Sequence, residues 1–134
     1  MNDKGAYANY ENGRGDLMIW DDDNEVNIRI LKIIGDLENE GDILESWRAH
    51  IQQVVIFPFV AVLVQVQEYD SIFQQGDRLK VHAIDDIDDK YGIIANTRLG
   101  RKKILFPLCE LEAVELNDEG KKAIYDYAVW FANR

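Results

Sequence analysis

The sequence predicts an α+β fold, in which a small antiparallel β-barrel or strongly twisted sheet follows an N-terminal helical hairpin and precedes a C-terminal helix. Three observations lead there. Apolar residues recur at helical spacing between Val26 and Val55, alternate at strand spacing from Val60 onward, and return to helical spacing after Leu116. The chain has 134 residues, 47% of them hydrophobic, which fits one domain with a substantial core.

The opening MNDKGAYANYENGRGDL is rich in Gly and Asn and has no sustained apolar period. Residues 1–24 are therefore expected to form a flexible acidic tail, and residues 25–134 a single domain. Val26, Ile30, Ile33, Ile34 and Leu37 have the spacing of a short helix, with Asp23 or Asn24 as its cap. Val26, Ile28 and Ile30 also alternate, which leaves a strand open for the first turn. GDLENEGD at 35–42 breaks the period. A second helix is expected to start at Asp42, with Glu45 three residues later completing a capping-box variant. Its stripe is Ile43, Leu44, Trp47, Ile51, Val54 and Val55, and Pro58 limits it because proline disfavours helical geometry in the residue before it.

From Phe57 the period becomes two. Val60, Val62, Val64 and Val66 alternate with Ala61, Leu63, Gln65 and Gln67, as a strand requires. After the turn-like QQGD at 74–77, a second strand is expected over Arg78–Ile84 with Leu79, Val81 and Ala83 on one face. Tyr91–Thr97 and Lys103–Phe106 read as a third and fourth, joined by RLGR with Gly100 available for a positive φ, and Leu108–Val114 adds a short fifth. Consecutive short strands bury a face only by curling or by packing under another layer, so the barrel or twisted sheet follows, with helices as cover. In KKAIYDYAVWFANR, Ala123, Ile124, Tyr127, Ala128 and Phe131 repeat at helical spacing behind Asn117 or Asp118 as cap. Tyr125, Trp130 and Phe131 are read as packing residues.

Twenty-five acidic against 15 basic residues give a net charge of -10, which opposes a generic phosphate-binding surface and argues against a nucleic-acid partner. Cations or a basic protein partner fit better. The excess lies mainly in the first half of the chain. The single Cys109 beside Leu108 reads as a small buried hydrophobe. There is no leader-like start, and the longest apolar run, Val54–Val64, is too short to span a bilayer, so a soluble cytoplasmic protein with no membrane partner is expected.

Two acidic segments suit a hard cation, which calls for several converging oxygens. In DLENEG at 36–41, acids occupy positions 1, 3 and 5 of a calcium loop and Gly41 position 6, but the closing position 12 holds Trp47 instead of Glu. The competing reading is a capped interhelical turn. In DDIDD at 85–89, expected between two strands, Ile87 can anchor while Asp85, Asp86, Asp88 and Asp89 project, and like charges so close repel unless a cation or solvent screens them. The competing reading there is a solvated loop that discourages edge pairing. The candidate ligands are thus Asp36, Glu38, Glu40, Asp42, Asp85, Asp86, Asp88 and Asp89. His50 and His82 lack the partners of a zinc site or a triad, so catalysis is not expected. RLGRKK at 98–103 is the one basic run, read as a salt-rich hairpin turn opposite acidic neighbours.

Arg29 to Ile34, Trp47, Ile56-Phe57-Pro58-Phe59, Gly76-Asp77, Val81, Pro107-Leu108, Leu111-Glu112 and Asp126 to Trp130 occur in an order and spacing that resembles the cyanobacterial and bacterial calcium-binding CcbP-like family over residues 28–131. The resemblance implies small acidic proteins with helices around an SH3-like barrel. It also implies calcium bound by clustered carboxylates, for buffering or sequestration, with the segment Asp36, Glu38, Glu40 and Asp42 having a family counterpart. DDIDD departs from the family pattern and rests on the local argument. The alternative is a protein-interaction module with an acidic, solvated surface and no specific metal.

Overall fold

The side chain of Asn24 accepts hydrogen bonds from the backbone N–H groups of Val26 and Asn27 and starts helix α1, Glu25–Ile34. The first turn is therefore helical and not a strand. The structure, a computed structural model, describes residues 24–64 and 74–134; the expected tail and the continuation of the first strand through Val66 and Gln67 lie outside the described residues. Gly35, at φ 58°, ends α1.

Helix α2, Glu40–Val54, is capped by Asn39, whose Oδ1 accepts the N–H of Asp42 at 3.1 Å. This corrects the expected start at Asp42. Asn is as good a cap as Asp, so the helix begins as soon as the chain leaves the turn, and Asp42 falls in its first turn. Ile43, Leu44, Trp47 and Ile51 are buried, as the stripe requires. The Ser46 hydroxyl donates to the Ile33 carbonyl at 2.7 Å and ties α2 to the end of α1.

Five antiparallel strands follow: β1 Phe59–Leu63, β2 Arg78–Asp88, β3 Gly92–Leu99, β4 Lys102–Pro107 and β5 Leu111–Glu115, the last preceded by one 3₁₀ turn at Leu108–Glu110. Their order is β4-β3-β2-β1-β5. The sheet is open, with β4 and β5 at opposite edges, so the expected SH3-like barrel is not formed. The physical reason is that helices close the core instead. Phe59, Ala61, Leu63, Leu79, Val81, Ile93, Ala95, Phe106 and Leu111 make one buried face, and α2 and α3, Asp118–Asn133, pack over it, with α1 lying against both helices. A face already sealed by a second layer gains nothing by curling onto itself.

β2 is longer than its alternation predicts. The register with β3 shifts between Val81 and Ala83 and again between Ile84 and Asp86, leaving His82 and Asp85 as extra residues. Each bulge resets the phase, so Val81, Ile84 and Ile87 face the core side while Ala83, expected to share a face with Leu79, is set opposite the outer residue Asn96. The expected DDIDD loop is consequently strand as far as Asp88, with only Asp89 in the turn.

Asn117 caps α3 through the Gly120 N–H. Trp47, Tyr127 and Trp130 meet at ring centroid separations of 5.8 to 6.2 Å, deep between α2 and α3. Trp130 and Phe131 pack as expected, whereas Tyr125 is 58% exposed. Across the helices, Arg29 donates to both oxygens of the buried Asp126, at 2.6 and 3.0 Å.

Candidate metal centre

The first acidic segment is the link between α1 and α2. Asp36, Glu38, Glu40 and Asp42 are all exposed. Asp36 lies in the turn after Gly35, Glu38 precedes the cap, and Glu40 and Asp42 sit in the first turn of α2, where unpaired N–H groups favour negative charge. Trp47, which would have to be the twelfth-position ligand of a calcium loop, is fully buried in the core. The four acids therefore line one exposed turn with no closing ligand of their own.

The second segment is the end of β2 and the β2–β3 hairpin. Asp86 is set opposite Ile94 and Asp88 opposite Gly92, so the two alternate on the outer face, ~7 Å apart along the strand. Asp85 is the bulge residue. One oxygen of Asp88 accepts the N–H groups of both Lys90 and Tyr91 at 2.8 Å, and Asp86 accepts the N–H of Ile87 at 2.8 Å. These carboxylates thus shape the turn before they do anything else, and Asp89, at the turn itself, projects into solvent.

Arg134 links the two segments, and sequence reasoning missed it. Its Nε lies 3.1 Å from Oε2 of Glu40, its Nη2 donates to the Lys90 carbonyl at 3.4 Å, and its guanidinium stacks on the Phe131 ring at 3.7 Å. One cationic group therefore spans the start of α2 and the hairpin turn. Phe131, one helical turn earlier, is the only local signal of this role. The hairpin is held at that distance by α3: the Tyr127 hydroxyl accepts the Ile93 N–H at 2.9 Å, and Gly92, at φ 72°, lets Tyr127 and Phe131 approach where a Cβ would collide with both. Burial pushes the Tyr127 phenol well above its usual range, so it keeps its proton.

The donor chemistry suits a hard cation: exposed carboxylates on both segments and a backbone carbonyl in the hairpin turn. Among the described residues, no three His, Cys, Asp or Glu side chains are already gathered as a metal cage. Glu40 and the hairpin are brought together through Arg134; Asp36, Glu38 and Asp42 stay on the α2 side, and Asp85 and Asp86 lie farther down β2. The shared residues Arg29, Trp47, Val81, Leu108, Leu111 and Asp126 prove to be framework, buried or paired within it.

A family model described as calcium binding, Calci_bind_CcbP, matches residues 28–131. A solved structure described as "Calcium binding protein in the calcium-binding form" is 20% identical, with a TM-score of 0.67, over 83% of this chain and 93% of that one. The crystal structure of Anabaena CcbP is 21% identical, with a TM-score of 0.65, over 81% of this chain and 89% of that one. At these identities the two structures establish the fold. No curated protein matches the chain.

Proposed function

This chain belongs to the CcbP family of calcium-binding proteins, a non-catalytic family, and from that premise we propose that residues 25–134 form one calcium-binding domain whose site lies between the α1–α2 turn and the β2–β3 hairpin. Asp36, Glu38, Glu40 and Asp42 form one wall; Asp88 and Asp89, with Asp85 and Asp86 behind them, form the other. The observation that carries this reading is Arg134 bridging Glu40 and the Lys90 carbonyl: one cationic group touches a carboxylate at the start of α2 and an oxygen of the hairpin turn. Calcium competes with the guanidinium for the same oxygens. An exposed site without a rigid cage binds weakly, roughly 10⁻⁶ to 10⁻³ M, in the range where buffering or sequestration is the natural role.

Among the described residues no helix is long and apolar enough to cross a membrane. The competing interaction-module reading calls for a contiguous exposed aromatic patch; among the described residues Trp47, Tyr127 and Trp130 are interior and Tyr125 is exposed.

The test is a calcium titration of chelator-treated protein followed residue by residue by NMR, repeated with magnesium and with Arg134→Gln. Saturable shifts in both 36–42 and 85–90 are expected with calcium and not with magnesium, and Arg134→Gln should tighten binding several-fold by removing the competing charge. Shifts confined to one segment, or an affinity indifferent to Arg134, would show that the two walls do not share a site. Equal, diffuse shifts with both ions would reduce the acids to nonspecific screening.

A further inference from the structure

The outer face of the sheet carries a second charged feature, of opposite sign. Lys80 on β2 is directly opposite Arg98 on β3, and Arg98 is directly opposite Lys103 on β4. Three cations therefore stand in a row across three strands, an arrangement that destabilises a sheet because like charges face one another. Arg78, His82 and Arg101 join Lys80 and Arg98 around an open concavity of about 680 Å³, floored by Val60 and Leu79. Among the described residues its one acid is Glu115, held by Arg78 at 2.6 Å. Among the described residues, Lys80, Arg98, Arg101 and Lys103 form no ion pair. Arg98 of the basic run RLGRKK is thus set opposite Lys80 and Lys103, and not opposite acids as its sequence context predicts.

Protection of a sheet edge explains lysines on β4, which is an edge strand. It does not explain Lys80 and Arg98, which stand on interior strands. The volume is that of a small-molecule site, and guanidinium and ammonium groups converging on one concavity are suited to phosphate oxygens. On a chain of net charge -10, a long polyanion placed here would run out over acidic surface, whereas a compact one meets only the patch. The acidic hairpin lies at the other end of β2, with Lys80 and Asp88 eight residues and roughly 26 Å apart along the strand, while His82 stands three residues before Asp85.

We propose that this concavity binds a compact polyphosphate, free or as the phosphate chain of a nucleotide, through Arg78, Lys80, Arg98 and Arg101, with His82 as a further donor.

The experiment is a calorimetric and NMR titration of chelator-treated protein with inorganic tripolyphosphate, pyrophosphate and phosphate, so that metal chelation by the ligand plays no part and the calcium reading is untouched by the outcome. Saturable binding that strengthens with the number of phosphates, with shifts at 78–82 and 98–103, is expected. Lys80→Gln and Arg98→Gln should each weaken it about tenfold or more while leaving the melting temperature unchanged or higher, because each removes a like-charge contact. Adenosine triphosphate binding as tightly as tripolyphosphate would assign recognition to the phosphate chain alone, and tighter binding would assign the nucleotide as its source; both support the site. Diffuse shifts abolished by roughly 0.15 M salt, or either variant binding like the parent, would overturn it. So would a short nucleic-acid duplex or a polyglutamate peptide binding more tightly than tripolyphosphate, since the ligand would then be a macromolecule.

Discussion

Arg134 and Cys109 are both residues whose surroundings come from distant parts of the chain. Arg134 gains its meaning from Glu40 and Lys90, which lie 94 and 44 positions away. Cys109, expected to be buried, is only partly so, and that burial pushes its thiol from 9.0 up to about 11, with Glu110 adding to the shift. The folded chain thus holds that proton more firmly than the unfolded chain. The resulting stabilisation is complete below the unfolded value of 9.0 and lost as pH rises through about 11. Iodoacetamide labelling of the folded protein should accordingly be slow at pH 8 and rise with a midpoint near 11. A midpoint near the ordinary thiol value would contradict the burial argument.

At the scale of elements, the polar residues of the α1–α2 turn and the β2–β3 hairpin divide between those that build the turns and those proposed as ligands. Asn39 is a builder: it caps α2, and Asn39→Ala should cost about 1 kcal/mol in denaturant unfolding. Asp42, which the capping-box pattern nominates for that role, contributes a charge in the first turn instead. Asp42→Asn should therefore lower stability by only a few tenths of a kcal/mol and weaken calcium binding. The opposite ranking in unfolding would restore Asp42 as the cap. Asp88, a ligand in the proposed site, already holds the hairpin turn with one of its oxygens. The bulges at His82 and Asp85 have a similar consequence, because they turn an alternating strand into one with core residues three apart, at Val81, Ile84 and Ile87. That spacing is what makes the end of β2 look like a loop in the sequence.

For the whole molecule, the net charge of -10 conceals a division between an acidic end, where α2 begins beside the hairpin, and a cationic face at the start of β2. Calcium that binds the folded chain and not the unfolded one must raise stability by mass action, by about 2.7 kcal/mol at a hundredfold excess over the dissociation constant. The melting temperature should climb with calcium along a saturable curve and fall back when a chelator is added. A rise reproduced by magnesium at equal ionic strength would mean that screening of self-repulsion, rather than a site, is responsible.

Local periodicity determined the three helices, the five strands and most of the buried face, because hydrophobic spacing is a property of neighbouring residues. The sequence also determined the order of family-like residues from Arg29 to Trp130, several of which, Trp47, Val81, Leu108 and Asp126 among them, are buried in the framework and so point to the family without locating its ligands. Tertiary structure decided the rest. Whether the sheet closed depended on the helices covering it; whether Asp88 was strand or loop depended on bulges set by β3; and the charge facing RLGRKK depended on which strand lay beside it. The meeting of Glu40, Arg134 and the hairpin is of the same kind, since it exists only once α3 has packed Tyr127 against Gly92 and Ile93.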